Sequence, residues 1–593
     1  MKNNVIIQWL VCLGMALMLT SCGEPLLEAG VDNQPDADVV LLHAQIYTVD
    51  DAQPWAQAIA IKDNKIVFVG SNNNARSFVG QATRLIDATG KMILPGMIDS
   101  HVHPIWGGGL SVKVNLRQAK TVAEVQAIIK RYRQQNPNLK YLSGGSWVAQ
   151  NFPKSGPRKE WLDEVVADIP VLLYDHFGHT AWANSLALEM AGLSKDSKDP
   201  QGGKLERDSR TGELTGTLRE EPAFKMIRHI VPSSSPELRY KSMKSALAYM
   251  NRQGITSFVT AYMVGEPLGQ VFSELYENGD LTARTLLSFK VRPGDDPELL
   301  LPSILQRRAE LESIDRNFIT ANMAKIFLDG VIRSHTAAML EPYVGEYRKF
   351  NSEAYLYSDE KLRAMALKLD NADFQLHFHT VGDGAARQAL DVMETLKQRN
   401  GDKDRRATVS HLLSIADSDF KRFKSLGVYP NAQLYWSKHN ENIGAVERHF
   451  GAARSKLLYA YGRLHSEGAT LVGGSDWPVS TASPFAAMQM AATRPYTSLN
   501  ASAEEAYQNQ GAAAGWLPEH KISDIESLLR AFTINGARLQ FREHRIGSLE
   551  VGKLADLVVI DRNILERPVD ELHQAKVLMT MVDGKFVYEA SSL

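Results

Sequence analysis

At 593 residues the chain is long enough for more than one domain and several large cores. Its hydrophobic content of 44% and charged content of 23% are those of an ordinary soluble globular protein. A formal net charge of -2 leaves no basic surplus that would point to nucleic acid or an anionic membrane surface as partner. The first element is a leader. Lys2 gives it a positive start and residues 5–19 form a mostly apolar run, too short to span a membrane comfortably but suited to a signal peptide.

That run ends in Leu19-Thr20-Ser21-Cys22-Gly23, which resembles a bacterial lipobox. The resemblance implies cleavage after residue 21 and a lipid on Cys22; a plain signal peptide or an uncleaved anchor is the alternative. Gly23, where an aspartate would hold a Gram-negative lipoprotein at the inner membrane, implies an outer-membrane location, on its periplasmic or surface side. Multiple acyl chains anchor firmly. Residues 22–36 are polar and aperiodic and read as a tether. The cysteines are Cys12 and Cys22 alone, so an exported mature chain has neither a disulfide nor a cysteine-bound zinc. Any metal must be held by histidine, carboxylate or something less usual.

From residue 37 the pattern turns to short β-strands, at 39–48, 58–62 and 65–70, and it returns to them at 555–561, 576–582 and up to Tyr588. Residues 37–91 and 545–593 are therefore expected to form one small β-sandwich from both chain ends. Between them, apolar strand-like runs alternate with helical patterns, the signature of parallel α/β architecture. Eight strand candidates fall at 92–98, 255–260, 285–291, 324–328, 374–379, 407–411, 428–435 and 470–472. Helices are expected at 240–253, closed by Gly254, and at 359–370. Eight such units predict a TIM-like (β/α)8 barrel over 92–544, longer than the ~250 residues that fold needs. The excess lies mainly in an insertion at about 104–254, expected as a lid or wall over the site. Gly107-Gly108-Gly109 follows no phosphate-loop pattern and reads as a flexible loop.

The strongest local signal is Leu94-Pro95-Gly96-Met97-Ile98-Asp99-Ser100-His101-Val102-His103. Two histidines at i and i+2 of a strand point to one side. At the C-terminal end of a barrel strand, both imidazoles stand in the mouth where active sites form. His101 and His103 are thus metal-ligand candidates, with structural histidines the bland alternative.

Together with the split β-domain and the late segment Gly547-Ser548-Leu549-Glu550-Val551-Gly552-Lys553-Leu554-Ala555-Asp556-Leu557, this strand resembles the amidohydrolase superfamily, in particular amidohydrolase family 3 and its YtcJ-like branch. The likeness runs from residue 37 to the end. It implies one or two divalent ions, zinc above all, in the barrel mouth, bound by four histidines, an aspartate and often a modified lysine. Carried over position by position, the ligands are His101, His103, His379, His411, Asp476 and Lys325, the last as a carbamate. His377, two residues before His379, shares its face and has a weaker claim. Asp476 is the implied catalytic acid/base, against the alternative of a helix N-cap. Lys325, inside an apolar strand, is otherwise an ion-paired lysine. His179 matches a histidine that lies near the family's pocket, and Trp147, Trp436, Trp477 and Gln433 are candidates to line it. Gly384 and Leu434 depart from the residues many relatives carry there.

The expected reaction is hydrolysis of an amide-type C–N bond in a small molecule, an N-acyl or N-formyl amine, by metal-activated water with Asp476 shuttling the proton. A cyclic-amide hydrolase, a deaminase or an esterase on the same metal site is an alternative. From a different class comes a lipoprotein that binds metal or ligand without catalysis. A serine-hydrolase reading fails on the order of residues around Ser475.

Overall fold

The computed structural model describes residues 36–591 except 176–179, 201–202, 233–234, 264–267, 333–334, 350 and 499–514. The expectations for the leader, for Cys22 and for His179 fall outside the described residues. Among the described residues, no helix is long and apolar enough to cross a membrane.

Eight parallel strands follow one another around a barrel in chain order: Met97–Val102, Ile255–Thr260, Arg284–Val291, Ile319–Phe327, Gln375–Thr380, Thr408–His411, Tyr429–Ala432 and Val472–Gly473. Most of their residues are buried, as expected for strands covered on both faces. The eighth returns to the first: Val102 bridges in parallel to Trp477, His103 N–H donates to the Trp477 carbonyl at 2.8 Å and Asp476 N–H to that of His101 at 2.7 Å. Barrel closure itself therefore brings Asp476 beside the two histidines.

The crossover helices form where their signals lie. Pro236–Arg252 starts on Ser235, whose hydroxyl accepts from Leu238 N–H, carries Pro236 in its first turn and stops before Gly254 at φ +80°. Asp359–Asn371 is capped by Ser358 in the same way.

Two strand expectations need correcting, the first being 39–48, which is Val39–Leu42 in one sheet and Gln45–Tyr47 in another. The run 92–98 is two strands of two sheets, parted at Gly96. A Cβ on Gly96 would lie 2.1 Å from the Thr256 hydroxyl, so only glycine lets the chain pass the second barrel strand this closely. Met92–Pro95 pairs antiparallel with Leu557–Ile560 and parallel with Gln45–Tyr47, and so belongs to the β-domain built from the chain ends. That domain is a sandwich. A four-stranded sheet of Val39–Leu42, Ala58–Lys62, Lys65–Gly70 and Arg84–Asp87 shares a core with a six-stranded one, Leu41, Ile59 and Ile61 packing with Ile93, Leu557 and Met579.

The insertion is a folded unit with a six-stranded mixed sheet, from Val114–Asn115 at one edge to Lys204–Arg207 at the other. It has apolar cores of its own. Gly107-Gly108-Gly109 is not a flexible loop but the buried middle of a helix, Pro104–Val112. Added Cβ atoms would lie 2.2 Å from the Trp477 ring at Gly107 and 1.8 Å from the Ser242 carbonyl at Gly108. The glycines let this helix pack directly on Pro236–Arg252 and under the end of the eighth strand.

Candidate metal centre

The first strand delivers His101 and His103 to the mouth, and the turn after the eighth delivers Asp476. The ligand-capable atoms of the three lie within 4.8 Å of one another. Asp476 Oδ1 is 3.0 Å from His103 Nε2 and 3.4 Å from His101 Nε2, yet makes no well-aligned hydrogen bond. The three groups aim at shared space more than at each other. Asp476 has a left-handed backbone, φ +54°, a costly conformation for an aspartate that the surrounding contacts must hold. Below it, buried Asp99 accepts from the backbone N–H groups of His101 and Ser475 and from the Ser475 hydroxyl, tying the first strand to the eighth-strand turn. Burial pushes the Asp99 carboxyl up to about 6.

The other expected ligands form a second group. His411, at φ +76°, has its ring centre 4.9 Å from that of His101 and 4.5 Å from that of His379. Trp436 stacks on His411 at 5.6 Å with 13° between the planes. Lys325 Nζ is 3.1 Å from His377 Nε2. His377 Nε2 is in turn 3.0 Å from His101 Nδ1 and 2.7 Å from Ser410 Oγ. His377, the weaker candidate in the sequence, thus sits at the centre of the buried cluster, while His379 stands one step nearer the opening with Nδ1 3.3 Å from Asp329 Oδ1.

The electrostatics suit a cation. Burial drives the His101 imidazole down to about 3, and the Lys325 charge adds to this. Burial likewise holds His377 and His411 well below the ordinary histidine range. All three are neutral lone-pair donors at neutral pH. Burial pushes the Asp476 carboxyl up, but the imidazoles of His101 and His103 outweigh it and hold the group ionised. Burial takes the Lys325 ammonium down to about 7, against the pull of Asp476. The Nδ1 atoms of His377, His379 and His411 and Oδ1 of Asp476 are buried without a hydrogen-bond partner. Such groups are costly unless something completes them, and two or more imidazole nitrogens with a carboxylate oxygen are the donor set of a divalent ion. The residues fit one.

Two expected pocket residues lie elsewhere. Trp147 is 1% exposed in the insertion's core, its ring against Phe152 and Trp182 and its Nε1–H bonded to the Leu173 carbonyl, so it does not wall the mouth. Gln433 is fully buried; its Oε1 accepts from His411 N–H at 2.8 Å and its amide donates to Asn431 Oδ1 at 3.1 Å. It holds the His411 backbone and presents no exposed surface to a substrate. Trp477 stacks on Tyr249 beside the site. Three residues at the site were not singled out in the sequence. Asp329 accepts from the N–H groups of Ala338, Val381 and Gly382 and borders His379. Ser410 bridges His101 and His377. Tyr262 lies edge-on to His103 at 5.0 Å.

The sequence profile of the amidohydrolase family matches residues 84–588. The chain belongs to the amidohydrolase family. Similar proteins include Protein LONG AFTER FAR-RED 3 of Arabidopsis thaliana, 30% identical over 93% of this chain and 92% of that one. An N-substituted formamide deformylase of Arthrobacter pascens is 26% identical over 93% and 98% of the two chains, and a putative amidohydrolase YtcJ of Bacillus subtilis 24% identical over 92% and 98%. Among solved structures, an uncharacterized metal-dependent hydrolase from Pyrococcus horikoshii superposes with a TM-score of 0.70, covering 90% of this chain and 99% of its own at 23% identity. It has the same fold.

Proposed function

We propose that the chain is a metal-dependent amidohydrolase cleaving the C–N bond of a small N-acyl or N-formyl amine. The observation that carries this reading is the convergence of His101, His103 and Asp476 at the closed end of the barrel ring. The formamide-cleaving relative from Arthrobacter pascens, alike over nearly its whole length, supports the bond class.

His101, His103 and Asp476 would hold one divalent ion, zinc by preference, and His379 and His411 would hold a second. A bound ion supplies Lewis acidity, which brings the pKa of water from 15.7 towards ~7. The Asp476 carboxylate takes the proton of the water that attacks the carbonyl carbon. It then returns it to the nitrogen as the C–N bond breaks, so that the products are a carboxylic acid and a neutral amine. Asp99 and Ser475 fix the turn that aims Asp476, Gln433 fixes His411, and Trp436 shields the His411 face from water. Lys325, with an ammonium brought near neutrality by burial, is suited to add carbon dioxide through its neutral amine, releasing a proton and gaining carbamate oxygens. The anchor proposal stands with this one: a lipid on Cys22 would hold the enzyme at the outer membrane.

The test is a panel of N-substituted formamides, N-acyl amines, cyclic amides, aminopurines and esters, run with the parent and Asp476→Asn. Turnover of the open-chain amides by the parent alone is the expected result. Turnover confined to esters, rings or aminopurines would move the enzyme to another reaction on the same site. None with any class would favour a binding protein.

A further inference from the structure

The third barrel strand carries a lysine that the reaction outlined above does not use. Lys290 is level with Lys325 in the parallel register, and Lys325 is level with His377. Residues level on neighbouring strands point to the same face, so Lys290 enters the barrel on the side that holds the site. Its Nζ lies 4.8 Å from the centre of the Tyr262 ring and 5.1 Å from that of Phe327. The two rings touch each other, at 5.6 Å, and both reach the site: Tyr262 is 5.0 Å from the His103 ring and Phe327 5.0 Å from that of His379. The ammonium and the candidate ligands thus share these two rings as neighbours.

Among the described residues, that ammonium has no hydrogen-bond acceptor. Aromatic faces attract a cation, by about 0.5–2 kcal/mol, but give its N–H groups no lone pair of the usual kind. Glu221 and Asp295 are near enough to favour its charge, and Arg292 opposes it, yet among the described residues no carboxylate pairs with it. Burial of half the group lowers its pKa. Other lysines have another fate: Lys403 bonds Asp373, and Lys553 pairs with Glu550. Lys438 also rests on a ring, but on Tyr435, which packs on Met490 of the outer helix Pro484–Thr493. Lys290 alone of these is set beside the histidines.

We propose that Lys290 is a specificity-determining residue that binds an anionic group, a carboxylate in the first instance, carried by the substrate next to the scissile amide. This rests on the amidohydrolase reading and narrows it from N-acyl and N-formyl amines in general to those bearing an acid, such as N-acyl and N-formyl amino acids. The carboxylate supplies the acceptor that the protein withholds, in a charge-assisted hydrogen bond partly shielded from water.

The test compares N-formylphenylalanine, as both enantiomers, with N-formyl-2-phenylethylamine, which lacks only the carboxylate. The parent should favour an acidic substrate in kcat/KM. In Lys290→Met the ratio of kcat/KM for the acidic over the neutral compound should fall by about ten- to a hundredfold, mainly through KM, and Lys290→Arg should keep most of it. A merely structural lysine would lower both substrates alike and leave the ratio standing, which would overturn the proposal. So would a parent that favours the neutral compound. If the parent cleaves neither, the amidohydrolase reading fails separately, and calorimetric binding of N-acetylphenylalanine decides the matter: binding weakened in Lys290→Met upholds the carboxylate site, and equal or absent binding rejects it.

Discussion

Two buried ionic clusters lie at opposite ends of the barrel, and they are built on opposite rules. At the start of the third strand, Arg284 is fully buried and paired with two carboxylates. Its guanidinium donates to both oxygens of Asp556, at 2.8 and 3.0 Å, to Asp583 at 2.8 Å and to the Asn317 carbonyl at 3.1 Å, and it lies over the Phe318 ring. Burial works against its charge, but the two carboxylates win and raise its pKa. The partners come from the C-terminal part of the β-sandwich, so this network bolts that domain to the barrel floor. In the mouth, by contrast, three imidazole nitrogens and a carboxylate oxygen are buried with no hydrogen bond. A closed network holds structure together; an open one, with left-handed backbone at His411 and Asp476 that surrounding contacts must hold, is kept ready for something the protein does not supply.

The comparison can be broken from either end. The largest effect expected is on turnover: Asp476→Asn should lower kcat by about 10²–10⁴-fold, with a thermal midpoint close to that of the parent. A variant that kept parental kcat would remove Asp476 from the chemistry. Next comes the floor. Asp556→Ala leaves Arg284 with Asp583 as its one carboxylate partner and should cost about 1.5–3 kcal/mol of stability, read in a denaturant titration, while metal content stays parental in the protein that remains folded. If it instead lost activity at unchanged stability, the division between the two ends would be false.

Smaller effects sharpen the boundary. Gln433→Ala frees the His411 N–H and should reduce kcat by about tenfold, a buried hydrogen bond's worth, without removing the metal held by the trio. Lys438 gives the control for burial without a site. Burial brings its pKa from 10.5 down to about 8, so between those values the unfolded chain binds more protons than the folded one. Stability should therefore rise as pH climbs through that window. Lys438→Met should flatten that slope and leave kcat alone. A large loss of activity would show that this buried amine also takes part in the chemistry.

Much of this was legible in the sequence, because strand periodicity and barrel geometry are local matters. The eight strand positions stood out as apolar runs, and the His101 and His103 pair showed itself by its spacing at the end of one of them. The break at Gly96 did not, since 92–98 is uniformly apolar and only the meeting with Thr256 shows that the chain changes sheets. The insertion's sheet was missed, its strands being short and scattered among polar segments. Trp147 misled for a general reason: an aromatic in an apolar run reads the same in a core as in a pocket wall. Asp329 and Ser410 look like turn and strand residues, and only the approach of distant strands gives them His379, His101 and His377 as neighbours. Lys290 is hidden in the same way, for nothing in the strand Arg284–Val291 foretells two aromatic rings from its neighbours.

The central claim is that the open cluster in the mouth is a divalent-metal site. Its most direct test is elemental analysis of the purified protein, alone and after reconstitution with zinc, manganese, iron or nickel, beside a His101→Ala/His103→Ala variant. About one or two tightly held ions per chain are expected in the parent, with a clear fall in the variant and no loss of its fold. A folded parent that holds no ion under any of these conditions, or a variant that holds as much as the parent, would contradict the account.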